Sequence, residues 1–426
     1  MIDCNTLGNR LKVRILGLAS KVARDFNKPT QKFIADMLYG IISAGSCMLT
    51  EIGRTLKEPI KLKKTVERLS RQLSSFSEPE RDALMRDYLA EAKRCIGADT
   101  MIIIDGGDVA KPCSPKMEAI GSVFDASEKR YADGYWTMGA VALSSENQQP
   151  IPVYENLYPC KKQGGSGFVI ETSKCLQYLR ENFDRSIPRV LDRGFDSGAL
   201  IQEFVEKEEK FILRVNQNRV AVHNGKQSYI NNIARGVVCE YGFDFKNKKG
   251  IVSKCIIGIT QVVLPNLKNT KLNLVVCREF GEKPLALYTN LSESLDSIAV
   301  RVVKAYLMRW RIEEFYAFKK QSLQFEKFRV RNLNSIKTLD LLLTVASGFI
   351  AMLCEKSSDK TVLELISVSK RIPETADFLK NTKVIFYAVY AGAACVLAFL
   401  KYGISRFFGK IPKDYQLCIA GFEKMG

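Results

Sequence analysis

The chain has 426 residues, 46% hydrophobic and 26% charged, with 64 Lys and Arg against 46 Asp and Glu and a formal charge of +18. That size and balance describe a globular protein with room for several domains, not a disordered or fibrous one, and the cationic excess makes a polyanion the default partner. A lone histidine, His223, and twelve cysteines without a C-x-x-C pair argue against zinc chemistry and Ser-His-Asp catalysis, so an enzyme built from this chain would work with carboxylates.

The N-terminus, MIDCNTLGNRLK, carries no apolar signal core, and scattered thiols suit a reducing compartment; together they predict a cytoplasmic protein. From Asn5 to about Cys95 the pattern is helical and basic. Gln31 to Ala44 places Phe33, Ile34, Met37, Leu38, Ile41 and Ile42 on one face, Met48 to Leu56 forms a second short helix, and Leu62 to Leu73 a third. In the third, Lys64, Arg68 and Arg71 form a cationic stripe. Short helices joined tightly with such a stripe suit a helix-turn-helix DNA reader; plain three-helix packing with a solvated basic face explains them equally well.

At Ala98 the character changes. ADTMIIIDGGD is an apolar run, Met101 to Ile104, ending in Asp105, which predicts a buried strand that delivers a carboxylate at its end. Strands are expected at Trp136 to Leu143 and Ile151 to Leu157, and a helix near Val169 to Asn182. The QGGSGF turn lacks the spacing of an NTP-binding loop. A second apolar strand ends at Asp192 in PRVLDRGFDS, with Asp196 or Ser197 placed to cap the following helix, so Asp192 reads as chemical and Asp196 as structural. Lys210 to Val215 is a third strand and carries Arg214. Between Asn216 and Leu291 no helical period appears, and the stretch reads as a β-rich insertion.

Helical pattern resumes at Asp296 and carries YLMRWRIEEFYAFKK, Tyr306 to Lys320. Read as one helix, it brings Tyr306, Arg309, Glu313 and Lys320 to a single face, suited to holding a metal and gripping phosphate; a mixed-charge solvated face is the plainer alternative. Leu339 to Leu353 reads as a core helix. Val384 to Leu400 runs without a charge, which predicts a buried helix, with a membrane anchor as the alternative.

Two strand-end aspartates and a helical glutamate could converge at one edge of a mixed sheet, where three carboxylates suit two divalent cations about 4 Å apart for displacement at phosphorus. The spacing Tyr306-x2-Arg309-x3-Glu313-x6-Lys320, with IIIDGGD and VLDRGFDSG upstream, resembles the DDE transposases of bacterial insertion sequences, in the IS-four-like subgroup, over about Asp99 to Phe349. The resemblance implies an RNase H-like mixed α/β sheet flanked by helices, interrupted by a β-rich insertion, with helical N- and C-terminal regions. The expected division is a helical DNA-binding region over 1–95, catalytic segments over 96–215 and 292–356, the insertion over 216–291, and a C-terminal helical region over 357–426 suited to dimerisation.

By motif position the resemblance makes Asp105, Asp192 and Glu313 the metal-binding catalytic triad, taking two Mg2+ ions, with Mn2+ as substitute. Tyr306, Arg309 and Lys320 would contact DNA around the scissile phosphate; Arg214 and the stripe Lys64, Arg68 and Arg71 are expected, from the residues themselves, to bind DNA elsewhere along it. The implied partner is double-stranded DNA, both element ends and target, engaged by a homodimer without a membrane. Two other readings stand beside the active transposase: a transposase-derived DNA-binding repressor without catalysis, and a metal-dependent nuclease of the same fold without strand transfer. Some family members hold a flipped base on an aromatic residue of the insertion. LALYTNL offers only Tyr288, so that role is unassigned.

Overall fold

The computed structural model describes residues 2–97, 99–125, 128–144, 148–246, 252–265, 267, 269–278, 284–292, 295–355, 358–370 and 385–404. Five helices open the chain: α1 (Cys4–Val22), α2 (Lys28–Ala44), α3 (Leu49–Leu56), α4 (Leu62–Ser75) and α5 (Glu78–Ala92). Their ends follow local chemistry. Asp3 accepts the Asn5 and Thr6 amides ahead of α1, Asn27 caps α2, and Ser77 with Glu80 forms a capping box on α5.

A 12-stranded sheet forms the centre. Strand β1 (Thr100–Ala110) pairs antiparallel with β3 (Arg130–Ser144), whose outer edge is shared by β2 (Gly121–Asp125) and β4 (Ile151–Tyr158). On the other side β5 (Arg189–Leu191) and β6 (Phe211–Arg214) run parallel to β1, with α6 (Phe168–Asn182) and α7 (Gly198–Glu206) as the crossovers. The spatial order β4-β3-β1-β5-β6, with only β3 reversed, is the RNase H-like arrangement.

The stretch 216–291 is β-rich as expected, and its strands extend this same sheet. Strands β7 (Val220–His223), β8 (Lys226–Tyr229), β9 (Tyr241–Lys246), β10 (Val252–Leu264), β11 (Thr270–Arg278) and β12 (Leu285–Thr289) join it where β12 lies antiparallel to β6. Asn224 and Gly225, both at positive φ, turn β7 into β8, and His223 at the end of β7 bonds Thr260 on β10. A short helix unexpected from periodicity, α8 (Ile230–Gly236), lies in the same stretch.

Alternation along the strands separates two cores. Ile102, Ile104, Leu191 and Leu213 face the N-terminal helices, α6, α7 and the long α11 (Leu333–Glu355). Met101, Ile103, Val190 and Ile212 face α9 (Leu295–Leu307) and the first half of α10 (Trp310–Gln321). The apolar helix α11 is long enough to cross a membrane, yet 89% of its apolar window is buried inside the fold. Helix α12 (Lys360–Ser369) and α13 (Phe386–Ala398) complete the described chain; α13 lies within the segment expected to be a buried helix, and Phe386, Val389 and Val396 are fully packed. Residues 371–384 and 405–426 lie outside the described residues.

Candidate active site

The same alternation aims the acids. Asp105 follows Ile104, Asp192 follows Leu191 and Arg214 follows Leu213, so all three point to the face covered by α9 and α10. There Tyr306 donates its hydroxyl to Asp192 Oδ1 at 2.8 Å, and Arg214 stands 3.6 Å from the same oxygen. Arg309 donates to Asp105 Oδ2 at 2.8 Å and to Glu313 Oε1. The fold therefore gathers the two strand-end aspartates and the helical glutamate around one guanidinium.

The helix expected over Tyr306 to Lys320 is broken. Met308 and Arg309 form a tight turn, with the Arg309 amide bonded to Tyr306 O at 2.9 Å and the Ile312 amide to Arg309 O at 3.2 Å. These three-residue closures overwind the chain, which separates Tyr306, over Asp192, from Arg309, over Asp105. Lys320 lies further along β1, on Asp108 at 2.8 Å and Glu326 at 3.0 Å.

Tyr316, which periodicity did not single out, holds the site from beneath: its hydroxyl donates to the Asp105 carbonyl at 2.8 Å. A Cβ at Gly107 would sit 3.4 Å from its ring, and one at Gly139, opposite Asp105, 2.5 Å from its hydroxyl. Glycine at 139 lets the Tyr316 hydroxyl reach the Asp105 strand, and at 107 a side chain would only touch the ring. Below it, Lys319 is buried between Glu155 at 3.1 Å and Asp340 at 2.5 Å.

Burial raises the Asp105 carboxyl to about 7, with Arg309 drawing it down and the charges of Asp192 and Glu313 pushing it up. Burial also works against Asp192, but the Arg193 amide, Tyr306 and the Arg309 and Arg214 charges hold it below the ordinary carboxylate range. Among the described residues no group of three acidic, histidine or cysteine side chains stands close enough together to hold a metal ion as it is. Arg309 lies between Asp105 and Glu313 and supplies the positive charge there. The donor set still fits a hard divalent cation, because it is made of oxygens and a cation beside the buried Asp105 would favour its ionised form.

Residues 170–349 match the family described as Transposase DDE domain. The matched residues take in Asp192, Tyr306, Arg309, Glu313 and Lys320, and begin after Asp105. A solved structure described as piggyBac transposase synaptic complex with hairpin DNA is similar at a TM-score of 0.43 and 10% identity, covering 98% of this chain and 84% of that one.

The remaining expected residues fall differently. Ser197 caps α7, whereas Asp196 accepts the Asn216 amide at 2.7 Å and pairs with Arg219 at 2.6 Å, so it fastens the start of the insertion. Tyr288 is fully buried on β12, where no base can reach it. On α4, Lys64 lies exposed beside Glu67, and Arg71 is exposed. Arg68 instead turns inward, to the buried Asp36 at 2.8 Å and to Glu58 at 2.9 Å, in a network shared with Lys32. The two arginines are expected to separate on substitution. Arg71→Ala lowers duplex affinity and flattens its salt dependence by about one in log–log slope, with the melting temperature unchanged. Arg68→Ala leaves the buried Asp36 with Lys32 as its remaining cation and costs about 1–3 kcal/mol of stability. Salt-titrated anisotropy and urea melts of both variants check this; equal effects in both assays contradict it.

Proposed function

We propose that this protein is a DNA transposase, which binds the ends of a mobile element, cleaves phosphodiester bonds and joins the 3′ hydroxyls to target DNA. The observation that carries this reading is the convergence of Asp105, Asp192 and Glu313 from β1, β5 and α10 on one sheet edge, with Tyr306 and Arg309 bonded to them. The family match and the cationic excess support it.

In this reading the three carboxylates hold divalent cations, Mg2+ by the hardness of the oxygen donors. Bound there, the cations would activate a water or 3′ hydroxyl and offset charge at phosphorus. Tyr306 orients Asp192 through its hydrogen bond. Arg309 and Arg214, the cations closest to the acids, meet the non-bridging phosphate oxygens. A supercoiled plasmid carrying the reading frame with its flanking DNA, incubated with Mg2+ and a target plasmid, tests the assignment. Joined donor–target product is expected; nicking without joining assigns a nuclease, and binding without nicking a repressor.

The raised Asp105 carboxyl gives the metal a pH signature. A carboxyl raised in the fold contributes stability that is present below its unfolded value near 4 and is lost as pH rises through about 7. A cation that prefers the ionised form reverses that loss. The Mg2+-induced rise in melting temperature is therefore expected to grow between about pH 5.5 and 8 in the wild type and to stay flat in Asp105→Asn. A rise independent of pH in both proteins removes Asp105 from the metal site.

A further inference from the structure

Beyond the carboxylates, β1 runs on into a cleft of about 850 Å³ between the loop after Ala110 and the segment leading into α11. Its charged lining is entirely cationic: Lys111, Lys116, Lys327, Arg329 and Arg331. Lys116, Lys327, Arg329 and Arg331 are exposed, and none of them forms an ion pair among the described residues.

The walls are tied together independently of any ligand. Buried Lys111 donates to the Glu326 and Phe328 carbonyls, each at 2.7 Å, and the Glu118 amide bonds Arg331 O at 2.9 Å. The two nearby acids are engaged elsewhere. Glu326 accepts the Ala110 amide and pairs with Lys320, while Glu118 accepts the Leu333 amide. Four free cations on a fixed frame repel one another, a cost that an anion laid across them removes.

Position identifies the anion. Lys111 lies six residues beyond Asp105, about 20 Å along a strand that rises about 3.3 Å per residue. That span equals about six base pairs of duplex at 3.4 Å each. The cleft is open, and its cations are spread along both walls, as a continuous backbone requires. We propose that it is a second phosphate-binding subsite, which grips the backbone of duplex DNA about six base pairs from the bond presented to Asp105, Asp192 and Glu313. The proposal rests on the transposase reading and adds to it a contact outside the matched acidic and Tyr-Arg-Lys positions.

The test uses the full-length protein, a fluorescein-labelled duplex of roughly 30 base pairs and arbitrary sequence, and the double variants Arg329→Ala/Arg331→Ala and Lys116→Ala/Lys327→Ala. All four side chains are exposed, and circular dichroism confirms folding. Each double variant is expected to bind about tenfold more weakly at about 0.1 M salt, with the slope of log affinity against log salt reduced by about two. On a second duplex that carries the element end from the flanking DNA, phosphate-ethylation interference should show sensitive phosphates about six base pairs from the cleaved bond, and both variants should lose them. Unchanged affinity and slope, with the wild type binding duplex, overturn the subsite and leave the transposase reading standing. Failure of the folded wild type to bind duplex overturns both. Inorganic pyrophosphate bound by the wild type but not by the variants, with duplex binding equal in all, assigns the cleft to a small phosphate compound and overturns the DNA subsite.

Discussion

Asp105→Asn, Asp192→Asn and Glu313→Gln are each expected to reduce Mg2+-dependent DNA cleavage by about 10³-fold or more, while duplex affinity stays within about twofold. The magnitude follows from removing several kcal/mol of charge stabilisation at the reacting phosphate, at 1.36 kcal/mol per decade. Affinity is spared because phosphate neutralisation by the cationic surface supplies most of it. Glu314 is the control. It is adjacent to Glu313 but pairs with Arg311 at 2.8 Å, and its carbonyl accepts the Tyr387 hydroxyl at 3.0 Å, so it belongs to the packing of α10 on α13. Glu314→Gln should retain cleavage within about tenfold. Single-turnover nicking of labelled duplex decides the matter: wild-type rates in any of the three acid variants, or equal losses at Glu313 and Glu314, would sink the assignment.

The largest expected effect on stability lies one layer deeper. Lys319→Met should cost about 3–5 kcal/mol, because it strands Glu155 and Asp340 without their cation in the interior. Burial already pushes both Glu155 and Asp340 up, with Lys319 pulling them down. Replacing all three residues by apolar side chains of similar volume should recover most of the loss. Urea denaturation of the single and triple variants distinguishes this from simple overpacking: a triple variant no more stable than Lys319→Met contradicts an electrostatic origin. Since Tyr316 sits between this cluster and Asp105, the single variant should also lower cleavage in the fraction that remains folded.

Local pattern carried much of this architecture. Apolar runs that end in a carboxylate predict buried strands with an acid at the tip, and alternation then sends Asp105 and Asp192 to the same face as Arg214. The turn at Met308 and Arg309 was hidden, since nothing in YLMRWRI breaks a helix; tertiary hydrogen bonds to Asp105 and Asp192 sit on either side of it. The joining of the insertion to the central sheet was equally hidden, because β6 and β12 are paired across more than seventy residues and no local signal reports such a register. A helical stripe gives direction without partners, so Lys64, Arg68 and Arg71 looked alike until Asp36 and Glu58 claimed the middle one. Lys319 could have been found. It falls at i+7 from Ile312 and i+4 from Phe315, on the apolar side of its helix, where a lysine needs buried acids.

The bond between Arg309 and Asp105 closes a loop of 204 residues. At synthesis rates of about 5–20 residues per second, the strand that bears the first acid waits roughly 10–40 s for the helix that bears the last. A product that stops before Glu313 would keep Asp105 and Asp192 without the helix that completes the proposed set of acids.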